Sequence, residues 1–350
     1  MPTEPTEHTA HGTRAAGEGA ATAVAHPNIA LVKYWGKRNE DLVLPVTGSL
    51  SMTLDVCPTT TSVRLGRPGR PDSVTLGGRH AEGVFHARVT AFLDLLRALA
   101  RRRESAAVDT RNTVPTGAGL ASSASGFAAL ALAGAAAYGL DLDPLALSRL
   151  ARRGSGSAAR SVRGGFVIWH AGTGMGPTAD AASYAEPVPV PDGFCPAMVI
   201  AVVDPGHKTL SSRTAMRRTM DTSPLYPAWA ESSTADLDHM RTALARGDLA
   251  TVGEITERNA LGMHATMLAA RPAVRYLSPA SLTVLDAVQT LRARGVPAYA
   301  TMDAGPNVKV LCHRTNSEQV AAAVCRSTAG VTVLTARPGP DARLLPGNGS

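Results

Sequence analysis

The sequence predicts an α+β fold built as two lobes. Its 350 residues are more than a single hydrophobic core usually holds, so two domains or a two-lobed fold are expected. Segments with the apolar pattern of strands and segments with that of helices occur in both halves of the chain. The proline-rich run 187–191 separates the halves, and it places the boundary between domains 22–192 and 193–337.

The first half begins with a polar extension and continues as strands and helices. Residues 1–21 have the composition of a disordered tail. Short apolar runs then follow, interrupted by a polar turn at 37–41, and this arrangement is typical of a strand meander. The predicted strands are 28–32, 42–44, 50–54 and 165–169, and the predicted helices are 86–102, 122–138 and 143–152.

The second half opens on the apolar strand 198–203 and ends in a segment rich in Gly and Pro. That last segment, 338–350, is expected to be a flexible tail, and neither tail is expected to carry chemistry. Between them the predicted helices are 226–246, 248–270 and 279–294, and the predicted strands are 297–302 and 307–312.

Composition disfavours several classes of function. Hydrophobic residues make up 44% of the chain and aromatic residues 4%, which describes a globular protein with a core of Ala, Leu and Val. The net charge of +7 suits anionic ligands, but the arginines are scattered, so no nucleic-acid partner is expected. No apolar segment has membrane-spanning length, and a cytoplasmic protein without a membrane partner is expected. The cysteines lack metal-ligand spacing and are expected to be reduced thiols.

The run of small residues from Pro115 to Gly126 opens directly onto an alanine-rich helix. Small residues let a backbone close around an anion, and a helix start offers free N–H groups and a positive dipole end. The run has neither the Lys-Ser/Thr ending of a Walker A loop nor the spacing of a dinucleotide fingerprint. It predicts a phosphate loop of another kind, and the alternative is a turn before a tightly packed helix.

Two further segments carry cations among small residues. Residues 26–38 place Lys33 and Lys37 four positions apart, where they can face a polyphosphate or carboxylate, although an edge strand with solvated lysines has the same pattern. Residues 152–161 place serines between Arg152 and Arg160, and a guanidinium can bind a carboxylate or phosphate through two parallel hydrogen bonds. The alternative for this second segment is a flexible serine loop.

A single carboxylate, Asp303, is predicted on a tight turn between two strands. Asp before Ala-Gly-Pro is often only a turn residue that bonds its own backbone, so a catalytic role requires a cation and a substrate hydroxyl nearby. The serines lie outside any G-x-S-x-G elbow, and no Ser-His-Asp set can be argued. His264 lies among apolar helix positions and is interpreted as a core or supporting residue.

Together and in this order, these segments resemble the mevalonate diphosphate decarboxylases, a family of the GHMP small-molecule kinase superfamily. The resemblance extends over most of residues 24–312. Departures from the common pattern are Gly117, Ala159 and Arg213, and none of them removes the Asp, Lys or Arg. The matching stretches are 26–38, 44–54, 112–127, 153–169, 211–218 and 301–307.

The resemblance implies a two-lobed GHMP-kinase-like fold with the active site in the cleft between the lobes. It implies ATP as co-substrate, Mg²⁺ as cofactor and 5-diphosphomevalonate as substrate. In this family the γ-phosphate of ATP passes to the C3 hydroxyl, and the new phosphate then leaves as CO₂ is lost, which yields isopentenyl diphosphate. A homodimer is expected from the family.

The resemblance also implies residue roles. Asp303 orients or deprotonates the C3 hydroxyl, Lys33 bridges Asp303 and the developing charge, and Arg160 with Asn28 holds the substrate carboxylate. The other implied substrate-binding residues are Tyr34, Trp35, Gly36, Lys37, Ser155, Gly156, Ser157, Ala158, Ala159, Ser212 and Arg213. The ATP phosphates are implied to contact Pro115, Gly117, Ala118, Gly119, Leu120, Ala121, Ser122 and Ser123, with Ser122 or Ser123 on Mg²⁺.

Alternatives within and outside this family remain open at the level of sequence. A relative that decarboxylates the monophosphate, or one that only phosphorylates mevalonate at C3, has a similar pattern. The presence of both Asp303 and Lys33 favours decarboxylation. A ligand sensor without turnover is a further alternative, and a sensor has no need of a carboxylate beside a substrate hydroxyl.

Overall fold

A computed structural model describes residues 19–113, 122–204 and 210–346. Within these ranges no helix is both long enough and apolar enough to cross a membrane. The α-helices are α1 Gly83–Ala100, α2 Ser122–Ala137, α3 Pro144–Gly154, α4 Pro177–Ala182, α5 Ser212–Thr222, α6 Tyr226–Arg246, α7 Leu249–Leu268, α8 Pro279–Ala293 and α9 Ser317–Ser327. A 3-10 helix, Gly156–Val162, follows α3 and is called the serine segment below.

The strands form three principal sheets and a short hairpin. They are β1 Ala20–Ala25, β2 Asn28–Val32, β3 Lys37–Asn39, β4 Leu44–Pro45, β5 Ser49–Thr53, β6 Thr59–Pro68, β7 Ser73–Leu76, β8 Arg79–His80, β9 Glu104–Asn112, β10 Phe166–Trp169, β11 Ala185–Val188, β12 Pro196–Val202, β13 Ala298–Met302, β14 Val308–His313, β15 Thr332–Ala336 and β16 Arg343–Leu344. The sheet orders are β16-β1-β6-β9-β7-β8, β11-β10-β5-β2 and β13-β14-β12-β15, and β3 pairs with β4.

The first lobe packs α1 and α2 on its six-stranded sheet through an alanine-rich core, and α3 packs on these two helices. Small side chains on α2 allow the backbones to approach closely. A Cβ on Gly134 would lie 2.5 Å from Leu96, and one on Gly154 would lie 2.0 Å from the ring of Phe127. The low aromatic content of the chain therefore suits a core that depends on close backbone contact rather than on large rings.

The second sheet of this lobe has two chemically different faces because successive strand residues point to opposite sides. Leu50 and Met52 of β5 join a buried apolar cluster with β12, α6 and α7 of the second lobe. Ser49, Ser51 and Thr53 lie on the other face, where the serine segment covers β5. This small, polar face leaves room for a large side chain from the serine segment.

In the second lobe the antiparallel sheet β13-β14-β12-β15 is covered by helices on both sides. Val284 and Val288 of α8 and Val320 of α9 pack on one face. The other face, with Met198 and Ile200 of β12, packs on α6, α7 and the second sheet of the first lobe. The apolar contact between the lobes thus lies beside the carboxyl-terminal end of β13.

Most of the predicted elements are present with shifts of a few residues at their ends. The helix at 143–152 begins as its sequence indicates, because Asp143 accepts a hydrogen bond from the Ala146 amide and Pro144 occupies the first turn. The prediction of a strand at 42–44 is wrong: only Leu44 belongs to a strand, and Val43 has a positive φ of 53° in a turn. The polar turn predicted at 37–41 begins with the short strand β3.

The ordered fold extends into both of the predicted tails. Ala20 and Ala21 belong to β1, so the ordered fold begins before residue 22. The prediction of a flexible tail from residue 338 is wrong for residues 338–346. The Gly339 amide donates to the Thr53 carbonyl at 2.7 Å, and β16 pairs with β1. A Cβ on Gly339 would lie 2.1 Å from the Leu54 carbonyl oxygen, so glycine is what lets this segment pass.

Candidate active site

Asp303 lies between β13 and β14 and contacts two buried lysines. Its Oδ1 is 2.9 Å from Nζ of Lys33, and its Oδ2 is 3.2 Å from Nζ of Lys309. Both lysine side chains are 2% exposed, whereas the carboxylate is 30% exposed. Burial opposes the charge of this carboxyl, but the two lysines outweigh it and hold the pKa of Asp303 well below its usual range. The residue is therefore an anion held from two sides with an open face.

Lys33 belongs to the first lobe and is fixed by the second. It follows the last residue of β2, and its backbone amide donates to Oδ1 of Asn259 on α7 at 2.8 Å. Its Nζ also donates to the Ala30 carbonyl at 2.9 Å. Burial lowers the pKa of Lys33, and the neighbouring Asp303 partly restores it. The lysine thus joins the two lobes at the carboxylate.

Arg160, on the serine segment, fills the space above the polar face of β5. Its guanidinium donates to Oγ of Ser49 and, at 3.3 Å, to Oδ1 of Asn28, and it lies 5.8 Å from the ring of Trp169. Among the described residues no carboxylate forms an ion pair with it, and its buried Nε has no partner. Burial lowers the pKa of Arg160 to about 10, against the attraction of Asp303. This cation is suited to receive an anion.

Asn28 positions the serine segment as well as Arg160. Its Nδ2 donates to the Ser157 carbonyl at 3.0 Å and to Oγ of Ser161 at 2.8 Å. Its Oδ1 accepts from Arg160. Because its amide forms these three hydrogen bonds, Asn28 orients the guanidinium and connects the serine segment to β2.

Tyr34 lies between the serine segment and Trp169. Its ring packs edge-on against Trp169 with 4.7 Å between the ring centres. Its buried hydroxyl has no hydrogen-bond partner among the residues that the structure describes, and burial raises the pKa of this phenol. A Cβ on Gly156 would come within 2.7 Å of the Tyr34 ring, so the absence of a side chain there lets the two segments meet. The free hydroxyl is available to a ligand oxygen.

Trp35 and Gly36 place the next lysine through contacts with α6. The Trp35 carbonyl accepts from the hydroxyl of Tyr226 at 2.8 Å. Gly36 has a φ of +128°, and a Cβ there would lie 1.9 Å from the same hydroxyl. Both the backbone angle and the space require glycine. The Trp35 side chain is buried in an apolar cluster with residues of α5, α6 and α7.

Lys37 forms an ion pair with Glu40, with 2.5 Å between Nζ and Oε2. The same carboxylate lies 3.6 Å from Arg217 of α5. Burial opposes the charge of Glu40, but Lys37 holds its pKa below the usual range. Ser212 begins α5, and Arg213 follows it with an exposed side chain. One carboxylate thus faces several cations, which leaves this part of the site positive.

The serine segment also meets the start of α2. Ser155, which immediately precedes the segment, has its Oγ 3.3 Å from Oγ of Ser123. Ala158 and Ala159 are fully buried in core clusters, so their side chains do not line an open site. Ser122 begins α2, although its side chain lies outside the described part of the structure. The predicted phosphate-binding residues Pro115, Gly117, Ala118, Gly119, Leu120 and Ala121 lie outside the described residues.

A cavity of about 250 Å³ opens beside the start of α2. Arg88 enters it from α1, donates to the Gly154 carbonyl at 3.1 Å and lies 5.0 Å from the ring of Phe127. Burial lowers the pKa of Arg88 to about 10. The remaining lining residues are Thr61, Leu76, Phe85, Val89, Val108, Thr110, Asn112, Ser123, Gly126 and Leu130.

Sequence reasoning missed three of the residues that build the site. Ser49 supports Arg160, Asn259 holds the Lys33 amide, and Lys309 contacts Asp303. Only Lys309 could have been found from the sequence, because it is a charged residue in the apolar run 308–312. A lysine on a buried strand usually has a charged or polar partner. The other two depend on contacts between segments far apart in the chain.

His264 lies on α7 and is 2% exposed. Burial first, and the charge of Lys33 second, lower its pKa to about 4, while Asp303 opposes that shift. Its Nε2 has no hydrogen-bond partner within the described ranges. The interpretation as a supporting residue agrees with this position beneath the carboxylate.

The described residues offer few protein ligands for Mg²⁺. The described residues contain no group of three or more His, Cys, Asp or Glu side chains that could hold a metal ion. Mg²⁺ commonly binds through phosphate oxygens and few protein groups, and a hydroxyl such as that of Ser123 is a suitable oxygen ligand. The chemistry of the residues at the start of α2 therefore fits a Mg²⁺ carried by a nucleotide.

A two-lobed α+β fold with a half-buried carboxylate where the lobes meet defines a protein of the GHMP-kinase-like class. Residues 25–185 match the family model described as diphosphomevalonate decarboxylase-like N-terminal domain. Residues 198–337 match the mevalonate 5-diphosphate decarboxylase C-terminal domain. The chain belongs to the diphosphomevalonate decarboxylase family and is an enzyme.

Individual relatives support the same assignment. The diphosphomevalonate decarboxylase of Homo sapiens is 37% identical over 312 residues, which cover 83% of this chain and 76% of the relative. The solved mevalonate diphosphate decarboxylase of Enterococcus faecalis is 42% identical, with a TM-score of 0.87 over 94% of this chain and 99% of that one. A structure described as MDDEF in complex with MVAPP, AMPPCP and magnesium has the same identity and coverage and a TM-score of 0.88.

Proposed function

We propose that this enzyme catalyses the ATP-dependent decarboxylation of (R)-5-diphosphomevalonate to isopentenyl diphosphate, with release of ADP, phosphate and CO₂. The observation that carries the proposal is the group of charges at Asp303. Lys33 and Lys309 flank this one carboxylate, and Arg160 lies nearby without an ion-pair partner among the described residues. Buried cations in excess are stable only when anions reach them, and the substrate carboxylate and phosphates are such anions.

Asp303 orients the C3 hydroxyl and stabilises positive charge at C3. A general base works best when its pKa lies near the working pH, and two lysines hold the pKa of Asp303 far below that range. A weakly basic carboxylate still accepts a hydrogen bond from the hydroxyl and attracts the electron-deficient carbon that forms as phosphate leaves. The low pKa therefore favours an orienting and electrostatic role over that of a strong base.

Arg160 holds the substrate carboxylate that is lost as CO₂. Its unpartnered Nε and its orientation by Asn28 and Ser49 leave it prepared to accept an anion. A guanidinium binds a carboxylate through two parallel hydrogen bonds, which fixes the plane of the leaving group. Holding that plane aligns the breaking C–C bond with the developing positive charge at C3.

The diphosphate lies against the cations and hydroxyls on the other side of the serine segment. Tyr34 offers a buried hydroxyl without a partner, and Lys37 offers an ammonium that shares Glu40 with Arg217. Arg213 is exposed on α5, next to Ser212. Ser155 and Ser157 complete the proposed contacts. Positive charge in excess of Glu40 favours a diphosphate over a single phosphate.

ATP places its phosphates at the run 115–123 and its nucleoside in the cavity beside α2. The support is that the cavity adjoins Ser123 and has the size of a small-molecule site. Mg²⁺ would be held by ATP oxygens together with Ser122 or Ser123, and it neutralises charge on the transferring phosphoryl group when bound. In-line placement of that group against the C3 hydroxyl is the contribution of the cleft.

We further propose a homodimer in the cytoplasm. All four cysteines, Cys57, Cys195, Cys312 and Cys325, are free, which is consistent with a reducing compartment. Size-exclusion chromatography with light scattering tests the dimer: a mass of about twice 36.2 kDa supports it, and the monomer mass contradicts it.

The function is tested by an assay with Mg²⁺ and ATP that follows ADP and CO₂ separately for mevalonate, its 5-phosphate and its 5-diphosphate. Equal amounts of ADP and CO₂ with the diphosphate alone are expected. ADP without CO₂ would identify a C3 kinase, and equal release with the monophosphate would change the substrate. Binding of ATP and ligand without either product would identify a sensor.

A further inference from the structure

Lys309 occupies an unusual place for a charged side chain. It lies on β14, an inner strand of the second-lobe sheet, between β13 and β12. Its Cα is paired with Thr301 on one side and Ile200 on the other. The lysine is 2% exposed, and its strand neighbours Val308 and Val310 are fully buried in the apolar cluster under α8 and α9. A lysine at this position lowers the stability of the fold unless a nearby anion balances its charge.

The ammonium of Lys309 has few partners, and its one acidic partner among the described residues is Asp303. Nζ lies 3.2 Å from Oδ2 of Asp303 and donates to the Asn307 carbonyl at 3.3 Å. Lys33 occupies the other oxygen, Oδ1, at 2.9 Å. Each lysine therefore holds a different oxygen of the same carboxylate, one from each lobe.

A single lysine would suffice to neutralise Asp303, so charge balance does not explain the second one. Burying another ammonium raises the energy of the fold, particularly with Arg160 close enough to the pair to affect the pKa of Lys33. A second lysine does supply a geometric restraint. With one contact, the carboxylate can rotate about its Cβ–Cγ bond, whereas two contacts on opposite oxygens fix its plane.

We propose that Lys309 is a positioning residue, which fixes the plane of the Asp303 carboxylate so that its open face meets the reacting centre of the substrate. This inference rests on the proposed function. Lys309 acts through Asp303 and does not touch the substrate. Its loss lets the carboxylate turn toward Lys33 and lowers the rate of the chemical step, because catalysis falls steeply when a reacting group is misplaced.

The test uses the full chain with Lys309→Met, which keeps the length of the side chain and removes its charge, and Lys309→Arg, which keeps a donor. We expect Lys309→Met to lower kcat by about 10- to 100-fold and to change the KM for ATP and for the diphosphate by less than about 3-fold. Lys309→Arg is expected to recover part of kcat. Val310→Ala, on the opposite face of the same strand, is the control for disturbance of β14 and should keep kcat.

A double-mutant cycle with Asp303→Asn separates positioning from a direct role. If Lys309 acts through Asp303, adding Lys309→Met to Asp303→Asn changes the single-turnover rate by less than about 3-fold. Independent, multiplicative losses would overturn the proposal, as would an unchanged kcat in Lys309→Met, a rise in KM alone, or an equal loss in Val310→Ala. If Lys309→Met does not fold, the same cycle with Lys309→Arg decides.

The wild-type assay separates this inference from the function on which it rests. An inactive wild type with the diphosphate would contradict the proposed function. An active wild type with a fully active, folded Lys309→Met would contradict the role of Lys309 alone.

Discussion

In the candidate active site, Asp303 is an anion surrounded by cations. Lys33 and Lys309 lie at 2.9 Å and 3.2 Å from its two oxygens. Burial lowers the pKa of Arg160, and Arg160 lies close enough for the carboxylate to oppose this shift. Lys33 directly follows β2, Lys309 lies on β14 and Arg160 lies on the serine segment. The excess of positive charge makes the site complementary to an anionic substrate, and the single carboxylate provides the one negative group that can face a developing cation.

Replacement of Asp303 should remove turnover without removing nucleotide binding. We expect Asp303→Ala to lower kcat by roughly 10³-fold, because no other carboxylate of the described residues contacts Lys33 or Lys309. The Kd for ATP, measured by fluorescence titration, should stay within about 3-fold, since the proposed nucleotide site lies beside α2. Asp238→Ala, at an exposed position of α6, is the control. Substantial residual turnover would show that the role assigned to Asp303 is wrong.

Removing the charge of Arg160 and removing only its planar shape should lower kcat to different extents. Arg160→Ala removes both, and we expect kcat to fall by about 10²-fold or more. Arg160→Lys keeps the charge but loses the planar pair of donors, so only part of the rate should return. Steady-state kinetics with the diphosphate measures both variants. Arg163→Ala, three residues along the chain and paired with Asp341 instead, is the matched control. An unaffected rate in Arg160→Ala would remove Arg160 from the site.

At the scale of elements, the second sheet of the first lobe has a polar face toward the site and an apolar face packed against the second lobe. The alternation along β5 sends Leu50 and Met52 into the apolar contact between lobes and Ser49 toward Arg160. Helix α7 completes the arrangement with Asn259 on the Lys33 amide and His264 beneath the carboxylate. Strand β5 and helix α7 therefore each contribute apolar residues to packing and polar groups to the site.

Because α7 buries His264 in its neutral form, stability should depend on pH. The pKa falls from 6.5 to about 4 on folding, so between these values the unfolded state binds a proton that the native state does not. Stability is therefore lost as pH falls through this window, by at most about 3 kcal/mol. Neighbouring Lys33 and Lys309 disfavour the imidazolium, whereas Asp303 favours it.

Urea unfolding at several pH values between 6.5 and 4 measures this effect. His264→Asn should reduce the slope of unfolding free energy against pH, whereas His239→Asn, at an exposed position of α6, should leave it unchanged. Equal slopes for wild type and His264→Asn would contradict a neutral, buried His264.

At the scale of the whole molecule, the chain returns to the first lobe after completing the second. Residues 337–345 run past the end of β5 and pair β16 with β1, with Gly339 passing close to the Leu54 backbone. The Asp341 carboxylate accepts from the Gly164 amide at 2.6 Å. This last segment ties the second lobe to the sheet that supports the serine segment, so it helps to hold the two sides of the site together.

Removal of this segment should destabilise the protein. We expect truncation after residue 337 to lower Tm by roughly 5 °C or more, because several backbone hydrogen bonds and the β16 pairing are lost. Truncation after residue 346 removes only the last four residues of the chain and should leave Tm within about 1 °C. Differential scanning calorimetry compares the two. Equal Tm values would show that the segment does not support the fold.

Local patterns in the sequence were sufficient to predict most of the helices and several of the strands. The Asp143-Pro144 start of α3 and the apolar periods of α6, α7 and α8 depend on neighbouring residues alone, and they were predicted within a few positions. Strands β6 and β9 were missed because much of their surface is polar or half-buried, which weakens the alternation. Val43 was assigned to a strand because apolar character does not reveal a positive φ.

The sequence by itself determined the α+β class, the family and the candidate charged residues Asp303, Lys33 and Arg160. All three conclusions depend on residue types and on their order along the chain. Only the tertiary structure decided that Lys309 takes the second oxygen of Asp303 and that the carboxy-terminal segment returns to β1. Both are contacts made across sheets and between lobes. The spacing of residues along the chain does not contain such distances, since they arise only when the strands have paired and the apolar faces have closed on each other.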